Sequence, residues 1–210
     1  MKSFKISTSE LFTEKIHQIV SFLQCGEAVV LPTETVYGIA CSMDADAFLN
    51  LYFAKNRAIS KPLPVLVSNI EQVKKLCVDI PSDFWVFAEH FLPGPVTVVL
   101  KKNPNLNLPC LDMDTIAIRY SNHKIVQLIA AAYGEPLFLS SANLSGATDA
   151  KTVAQIETDL GEQVKVIVDD GDLFEAVPST IISLVNNKPK LLRTGLVAPS
   201  DIESFMGWRF

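Results

Sequence analysis

The chain has 210 residues, of which 49% are hydrophobic and 20% are charged, and this is enough to bury a substantial core. Its formal net charge of −5 disfavours a protein whose main role is nucleic-acid binding, because such proteins neutralise phosphates with lysine and arginine. The first residues do not resemble a signal peptide and no run reaches the ~20 apolar residues that span a membrane, so we expect a cytoplasmic protein without a membrane partner.

The cysteines and histidines do not form a recognisable metal site. The four cysteines are far apart, with no C-x-x-C pair, and the three histidines supply no zinc spacing. We therefore predict no protein metal site and reduced thiols, with Cys25 and Cys41 partly buried beside apolar runs. The P-loop motif and the G-x-G-x-x-G motif are also absent.

Apolar spacing predicts helices that alternate with short buried strands. The first helix has Ser9 as its predicted N-cap and Gly26 as its stop, and the second has Asp44 as its predicted N-cap. This alternation favours an α/β fold built on one sheet. In chain order, the predicted elements are helix 8–24, strands 28–31 and 37–41, helix 45–56, strand 65–67, helices 70–77 and 82–91, strands 96–101 and 115–120, helix 124–132, strand 137–140, helix 152–160, strands 164–168, 180–184 and 191–193, and helix 200–205.

A polar motif, Pro32-Thr33-Glu34-Thr35-Val36-Tyr37-Gly38, follows the first buried strand. One interpretation is a turn in which hydroxyl and carboxylate groups accept hydrogen bonds from unpaired backbone N–H groups. The other places the hydroxyls of Thr33 and Thr35 at the rim of a substrate pocket, with Tyr37 as its wall.

Three cations, Lys55, Arg57 and Lys61, lie within seven positions of one another. The first two fall at the end of the second predicted helix, where cations interact favourably with the helix dipole. Lys61 precedes Pro62, where no helix remains. The cluster is therefore also suited to a polyphosphate, because Arg57 can contact two phosphate oxygens at once and lysines act as point charges.

Other polar residues lie in or after later strands. Arg119 interrupts an apolar strand, and such an arginine is usually at a sheet edge or paired with an acid. The Ser140–Gly146 segment could be explained by strand-to-turn chemistry alone. We interpret Asp169-Asp170-Gly171 as a turn rather than a metal site, and His123 as an exposed residue near a helix start.

In their order and spacing, these motifs resemble the YrdC-domain family, whose members make threonylcarbamoyl-adenylate from threonine, bicarbonate and ATP. Pro93-Gly94-Pro95-Val96-Thr97, Pro178-Ser179-Thr180 and Leu192-Arg193 complete the resemblance, which extends from about Leu11 to Val197. It implies a YrdC-like domain over 11–197, with a twisted mixed β-sheet flanked by helices, and a tail over 198–210 that contains a short helix.

The resemblance also implies roles for individual residues. It assigns threonine binding to Thr33, Thr35, Arg119 and Ser179, with Arg119 holding the carboxylate. It assigns ATP binding to Lys55, Arg57, Lys61, Thr115, Ser141, Asn143 and Arg193, with Lys55 and Arg57 as the catalytic pair. ATP is then a substrate that carries Mg²⁺ with it, and no tightly bound cofactor is expected.

Some positions depart from the family pattern. Ala58 and Thr194 replace the usual prolines, and Leu66 stands where longer relatives have a histidine near threonine, which leaves the amino-acid specificity open. The length resembles the short, single-domain bacterial type. Its product is expected to pass to threonylcarbamoyl-transferase proteins that modify tRNA, with tRNA itself bound at most weakly. The alternatives are a paralogue without synthase activity, such as an adenylate hydrolase, and a non-catalytic RNA-binding module.

Overall fold

Helices and strands alternate along the part of the chain that the computed structural model describes, which comprises residues 4–7, 13–108, 113–173 and 176–210. The strands are β1 (Phe4–Ser7), β2 (Val29–Leu31), β3 (Gly38–Cys41), β4 (Val65–Leu66), β5 (Val96–Lys101), β6 (Thr115–Arg119), β7 (Leu137–Ser141), β8 (Val166–Asp169), β9 (Thr180–Ser183) and β10 (Lys190–Arg193). The helices are α1 (Thr13–Gln24), α2 (Ala45–Ala54), α3 (Gln72–Leu76), α4 (Ser82–Phe91), α5 (Lys124–Tyr133), α6 (Val153–Leu160) and α7 (Pro199–Met206). The predicted start of the first helix at 8–12, with Ser9 as its cap, lies outside the described residues.

The strands form one mixed sheet, in the order β1-β8-β2-β3-β7-β4-β6-β5-β9-β10. The pairs β1–β8, β2–β8, β4–β6 and β5–β9 are parallel, and the other neighbouring pairs are antiparallel. The predicted α/β fold with a single mixed sheet flanked by helices is therefore confirmed. Strands that are distant in sequence become neighbours, which brings the loops at their ends together.

The helices cover the two faces of this sheet unequally. One face packs with α2, α3, α4, α6 and α7 into the larger core cluster, whose fully buried aromatic residues include Phe48, Phe84 and Phe138. On the other face, α1 and α5 cover β8, β2, β3, β7 and β4, with Ile19 and Ile129 fully buried between helices and sheet.

The remaining part of that second face is open. Thr97 of β5 pairs with Arg119 of β6 and with Ile181 of β9, so these side chains share a face. Neither core cluster includes Thr97, Val99 or Ile181, and all three line a cavity. The unequal coverage by helices therefore leaves a concave, partly polar surface on the sheet.

Three local features differ from expectation. Strand β1 was not predicted, because the four-residue segment Phe-Lys-Ile-Ser is too short and too polar to give a strand pattern in the sequence. Its parallel pairing with β8 holds it in the sheet. Asp44 occupies the N-cap position of α2 without capping it, and its carboxylate instead accepts a hydrogen bond from the Ser42 hydroxyl at 2.7 Å. Cys25 is exposed rather than partly buried.

The other described cysteines, Cys41 and Cys77, are buried and unbonded, and burial raises the pKa of each thiol to about 12. Cys110 lies outside the described residues.

In the described ranges, no helix has the length and apolar character needed to cross a membrane. Helix α7 packs into the larger core cluster through the fully buried Ile202.

Gly195 holds two loops in close contact. A Cβ atom at this position would lie 2.3 Å from the Pro178 carbonyl oxygen and 2.3 Å from the Ser179 carbonyl carbon. Both are backbone atoms, which cannot move aside as a flexible side chain can. The Gly195 N–H also donates to the Thr180 hydroxyl at 3.0 Å, so this loop sets the position of the 178–180 segment.

We predict that Gly195→Ala destabilises the protein by about 3 kcal/mol or more, because the added methyl group forces two backbone segments apart. The matched control is Gly134→Ala, where no atom lies within 4 Å of the added Cβ and only the positive φ of +85° is unfavourable. That control should cost about 1 kcal/mol. Urea unfolding measures both values, and equal costs for the two variants would contradict the prediction.

Candidate active site

A cavity of about 370 Å³ lies on the open part of the sheet face. Its floor comes from strands, and its rim comes from the loops that follow β2, α2, β7 and β8 and from the end of β10. The floor side chains are Thr97, Val99, Ala117, Leu139 and Ile181. Seven of the predicted site residues line the cavity, namely Thr33, Thr35, Arg57, Arg119, Ser141, Ser179 and Arg193. Four others do not line it: Lys55, Lys61, Thr115 and Asn143.

The loop after β2 forms the turn of the first interpretation, and its two threonines also line the cavity. The Thr33 hydroxyl accepts hydrogen bonds from the N–H groups of Thr35 (3.1 Å) and Val36 (3.2 Å), and donates to the Val36 carbonyl (2.6 Å). It also lies 2.9 Å from the Thr35 hydroxyl. The motif is therefore a hydroxyl-stabilised turn whose two threonines also face the cavity.

The expectation that Tyr37 forms a wall of the pocket is wrong. Its ring is buried in the larger core cluster, and its hydroxyl donates to the Gly171 carbonyl at 2.7 Å and accepts from the Asp170 N–H at 2.9 Å. Burial raises the pKa of this phenol to about 12. Tyr37 thus fixes the loop after β8 against the loop after β2.

Arg119, at the end of β6, is buried and is paired with Glu34 of the Thr33–Thr35 loop. Its Nη1 donates to the carbonyls of Gly94 and Val96, the latter at 2.9 Å. Its Nη2 donates to the Glu34 carboxylate and lies 3.5 Å from the Thr35 hydroxyl. Burial lowers the pKa of Arg119, and the Glu34 carboxylate opposes that shift.

Glu34 itself is held on its second oxygen by Ser121, whose hydroxyl donates to it. The same hydroxyl accepts a hydrogen bond from the backbone N–H of His123 at 3.2 Å. Arg119 is therefore fixed by two carbonyl groups and by an acid that is itself fixed. The sequence pattern allowed pairing with an acid but did not identify which one.

Ser179 connects the floor of the cavity to Arg193. Its hydroxyl lies 2.8 Å from the Thr97 hydroxyl of β5. Arg193 donates to the Ser179 carbonyl through Nε (3.0 Å) and Nη2 (2.9 Å), and Nη2 also lies 3.1 Å from the Ser179 hydroxyl. Burial lowers the pKa of Arg193, and Asp149 opposes that shift.

Lys55 is buried beneath the loop that follows β7 rather than in the cavity. Its ammonium group donates to the backbone carbonyls of Ser141 and Asn143, the latter at 2.5 Å, and it is 1% exposed. Desolvation, followed by the nearby Arg57 charge, lowers its pKa to about 8. The Asn143 amide donates to the Ala147 carbonyl at 2.7 Å, and its oxygen accepts from the Ser141 hydroxyl at 2.5 Å.

Arg57 faces the cavity from the loop after α2. It donates to the carbonyls of Lys61 at 3.2 Å and Pro62 at 2.8 Å, which holds the loop in a tight turn. The side chain of Lys61 is exposed outside the cavity. Thr115 is half-buried at the start of β6, on the same face as Ala117, which does line the cavity.

Three further polar residues were not predicted as part of the site. Thr97 lies on the floor, Asp149 is the acidic residue among those that line the cavity, and Glu34 supports Arg119. A hydroxyl inside an apolar strand was a usable signal for Thr97, whereas nothing in the sequence near Asp149 points to a cavity. Among the described residues, no group of three His, Cys, Asp or Glu side chains could hold a metal ion.

The Asp169-Asp170-Gly171 motif, His123 and Leu66 are not among the residues that line the cavity. Asp169-Asp170-Gly171 is a turn, with Gly171 at φ +87° and its N–H bonded to the Asp169 carboxylate at 2.9 Å. His123 is partly buried rather than exposed, with Nε2 3.1 Å from the Asp170 carboxylate. Leu66 is buried in the cluster beneath α1 and α5 and does not line the cavity.

Comparison with known proteins supports a single family. The Sua5/YciO/YrdC family model, described as telomere recombination, matches residues 21–195. The chain is 33% identical to a threonylcarbamoyl-AMP synthase of Bacillus subtilis over 95% of its own length and 59% of the relative's. It is 32% identical to a threonylcarbamoyl-AMP synthase of Pyrococcus abyssi, over 92% of its own length and 57% of the relative's.

Among solved structures, the crystal structure of P. abyssi Sua5 complexed with L-threonine matches with a TM-score of 0.91 and 30% identity. That match covers 99% of this chain and 61% of the other. The chain thus spans about three fifths of the length of these relatives. Because the family model covers most of the chain and the relatives match nearly all of it, the chain belongs to the Sua5/YciO/YrdC family.

Proposed function

We propose that the protein is a threonylcarbamoyl-AMP synthase, which forms threonylcarbamoyl-adenylate and pyrophosphate from L-threonine, bicarbonate and ATP. The observation that carries this proposal is a cavity in which a buried arginine beside hydroxyl groups is combined with two further arginines, Arg57 from the loop after α2 and Arg193 from the end of β10. Membership of the family, and the likeness to a relative solved with L-threonine, support the same activity. The catalytic unit would comprise residues 11–197.

The amino acid would bind at the end of the cavity that contains Arg119. The Nη1 donors of Arg119 already face two backbone carbonyls, so a substrate carboxylate would bind at Nη2, beside the Thr35 hydroxyl. The hydroxyls of Thr97 and Ser179, which lie 2.8 Å apart, would bond the substrate's own hydroxyl. The residues proposed to hold threonine are Thr33, Thr35, Arg119 and Ser179.

ATP would bind across the other loops of the rim. Arg57 and Arg193 both line the cavity, and guanidinium groups can contact two phosphate oxygens at once. Magnesium would enter on the nucleotide, held by phosphates and water. The residues proposed to bind ATP are Lys55, Arg57, Lys61, Thr115, Ser141, Asn143 and Arg193, of which Lys55 acts through the Ser141–Asn143 loop.

The reaction needs positioning more than acid–base chemistry. The amine nitrogen of threonine attacks the carbon of bicarbonate, and loss of water leaves a carbamate. A carbamate oxygen then attacks the α-phosphorus of ATP, and the bond from that phosphorus to the oxygen of the pyrophosphate leaving group breaks. Both reactants are anions, so fixed cations lower the barrier by holding them together and by stabilising the charge that develops.

The product would pass to threonylcarbamoyl-transferase proteins that modify tRNA, and the protein would work in the cytoplasm. The net charge of −5 gives no support for tight tRNA binding by this chain. Arg57 and Arg193 line the same cavity as Arg119, and this favours the synthase over a hydrolase of the adenylate, because only the synthase has to bind the pyrophosphate part of ATP.

We expect the purified protein to release pyrophosphate from ATP only when both L-threonine and bicarbonate are present. Each component is omitted in turn, and pyrophosphate is measured with a coupled assay. No release in the complete mixture, from protein shown to be folded, would contradict the proposal and favour the paralogue or the RNA-binding module.

Substitutions at the two ends of the cavity should separate the two substrates. Arg119→Gln should raise the KM for threonine by at least about tenfold, and Arg57→Gln should raise the KM for ATP by a similar factor, because each removes a charge-assisted hydrogen bond. Arg209→Gln, an exposed arginine near the C-terminus, is the matched control and should leave both constants unchanged. Equal effects of Arg119→Gln on both substrates would contradict this division.

The lowered pKa of Lys55 has a measurable consequence for stability. The folded pKa of about 8 lies below the usual value of 10.5, so between these pH values the unfolded chain binds more protons and the folded state gains stability as pH rises. The unfolding free energy of the wild type should therefore increase relative to Lys55→Met by up to about 3 kcal/mol between about pH 8 and about pH 10.5. Urea unfolding at both pH values measures this difference, with Lys61→Met as the exposed-lysine control. A difference that does not change with pH would contradict the prediction.

A further inference from the structure

The cations of the cavity are neutralised to different extents. Arg119 forms an ion pair with Glu34 in which the two side chains are 5% and 14% exposed. Among the described residues, neither Arg57 nor Arg193 has a carboxylate oxygen within 4.0 Å. Asp149 influences Arg193, but from a distance greater than an ion pair.

Glu34 is not needed merely to hold Arg119 in place. The backbone carbonyls of Gly94 and Val96 already accept hydrogen bonds from Nη1, whereas Glu34 accepts from Nη2. Arg119 lines the cavity, whereas Glu34 does not, so the carboxylate reaches the cavity through its effect on the arginine. What it adds is a negative charge at a buried cation, which makes the pair nearly neutral when seen from the cavity.

We infer that Glu34 is a specificity-determining residue that keeps polyphosphate away from the amino-acid end of the cavity by neutralising Arg119. A bare buried arginine would attract a polyphosphate, which carries several charges, more strongly than a carboxylate, which carries one. With Arg119 paired, the attraction for polyphosphate is concentrated at Arg57 and Arg193. The Nη2 group of Arg119 can still donate to a small carboxylate beside Thr35. This inference rests on the proposed function and explains how one cavity separates two anionic substrates.

The test measures binding of inorganic pyrophosphate and of L-threonine by calorimetry, without turnover. In the wild type, pyrophosphate should change the dissociation constant of threonine by less than about twofold, because the two bind at separate ends. In Glu34→Gln, pyrophosphate should bind at least about fivefold more tightly and should compete with threonine. The control is Glu71→Gln, which removes an exposed acid paired with Lys74 and should match the wild type.

A double variant keeps the test decisive even if Glu34→Gln does not fold, because removing both partners leaves no unpaired buried charge. Glu34→Gln with Arg119→Gln should lose threonine binding and bind pyrophosphate within about twofold of the wild type. A tenfold loss of pyrophosphate binding in the double variant, or no gain in a folded Glu34→Gln, would overturn the inference. A wild type that binds neither compound would contradict the proposed function itself.

Discussion

The constraint on which the site depends is the incomplete covering of one face of the sheet. Helices α1 and α5 bury the half of that face formed by β8, β2, β3, β7 and β4, and the strands beyond them keep side chains such as Val99 and Ile181 in a cavity. Apolar surface left facing water in a concave site favours a ligand that covers it. The sheet order places the ends of distant strands around this opening, so residues from four loops and from the end of β10 can meet there.

Two buried cations hold these loops in place by different means. Arg119 has an acid, Glu34, as its partner, and the pair is further bonded to backbone carbonyls and to Ser121. Lys55 donates to carbonyls of the Ser141–Asn143 loop, and its lowered pKa reflects the cost of burying a charge without a close acid. Arg57 instead holds its own loop by donating to the Pro62 carbonyl, and Arg193 holds the loop before β9 by donating to the Ser179 carbonyl. The charged side chains therefore fix the loops through hydrogen bonds to protein groups. The N–H donors of the arginines that remain unbonded are the ones available to a ligand in the cavity.

The sequence predicts the local elements well because their signals are local. Apolar spacing with glycine and proline stops locates the strands and helices, and even the Thr33 turn follows from the preference of its hydroxyl for nearby N–H groups. What it cannot predict is which distant groups meet. The partner of Arg119 lies 85 positions away, so the choice of Glu34 depends on the fold rather than on spacing. Tyr37 illustrates the converse, since a motif residue with a large apolar ring is drawn into the core and away from the pocket that its neighbours line.

The most direct test of this account is a crystal structure with L-threonine and a non-hydrolysable ATP analogue bound together. The account predicts the threonine carboxylate at Nη2 of Arg119 beside Thr35, the phosphates at Arg57 and Arg193, and the Glu34–Arg119 pair intact. Phosphate oxygens bonded to Arg119, or ligands bound outside the cavity, would contradict it.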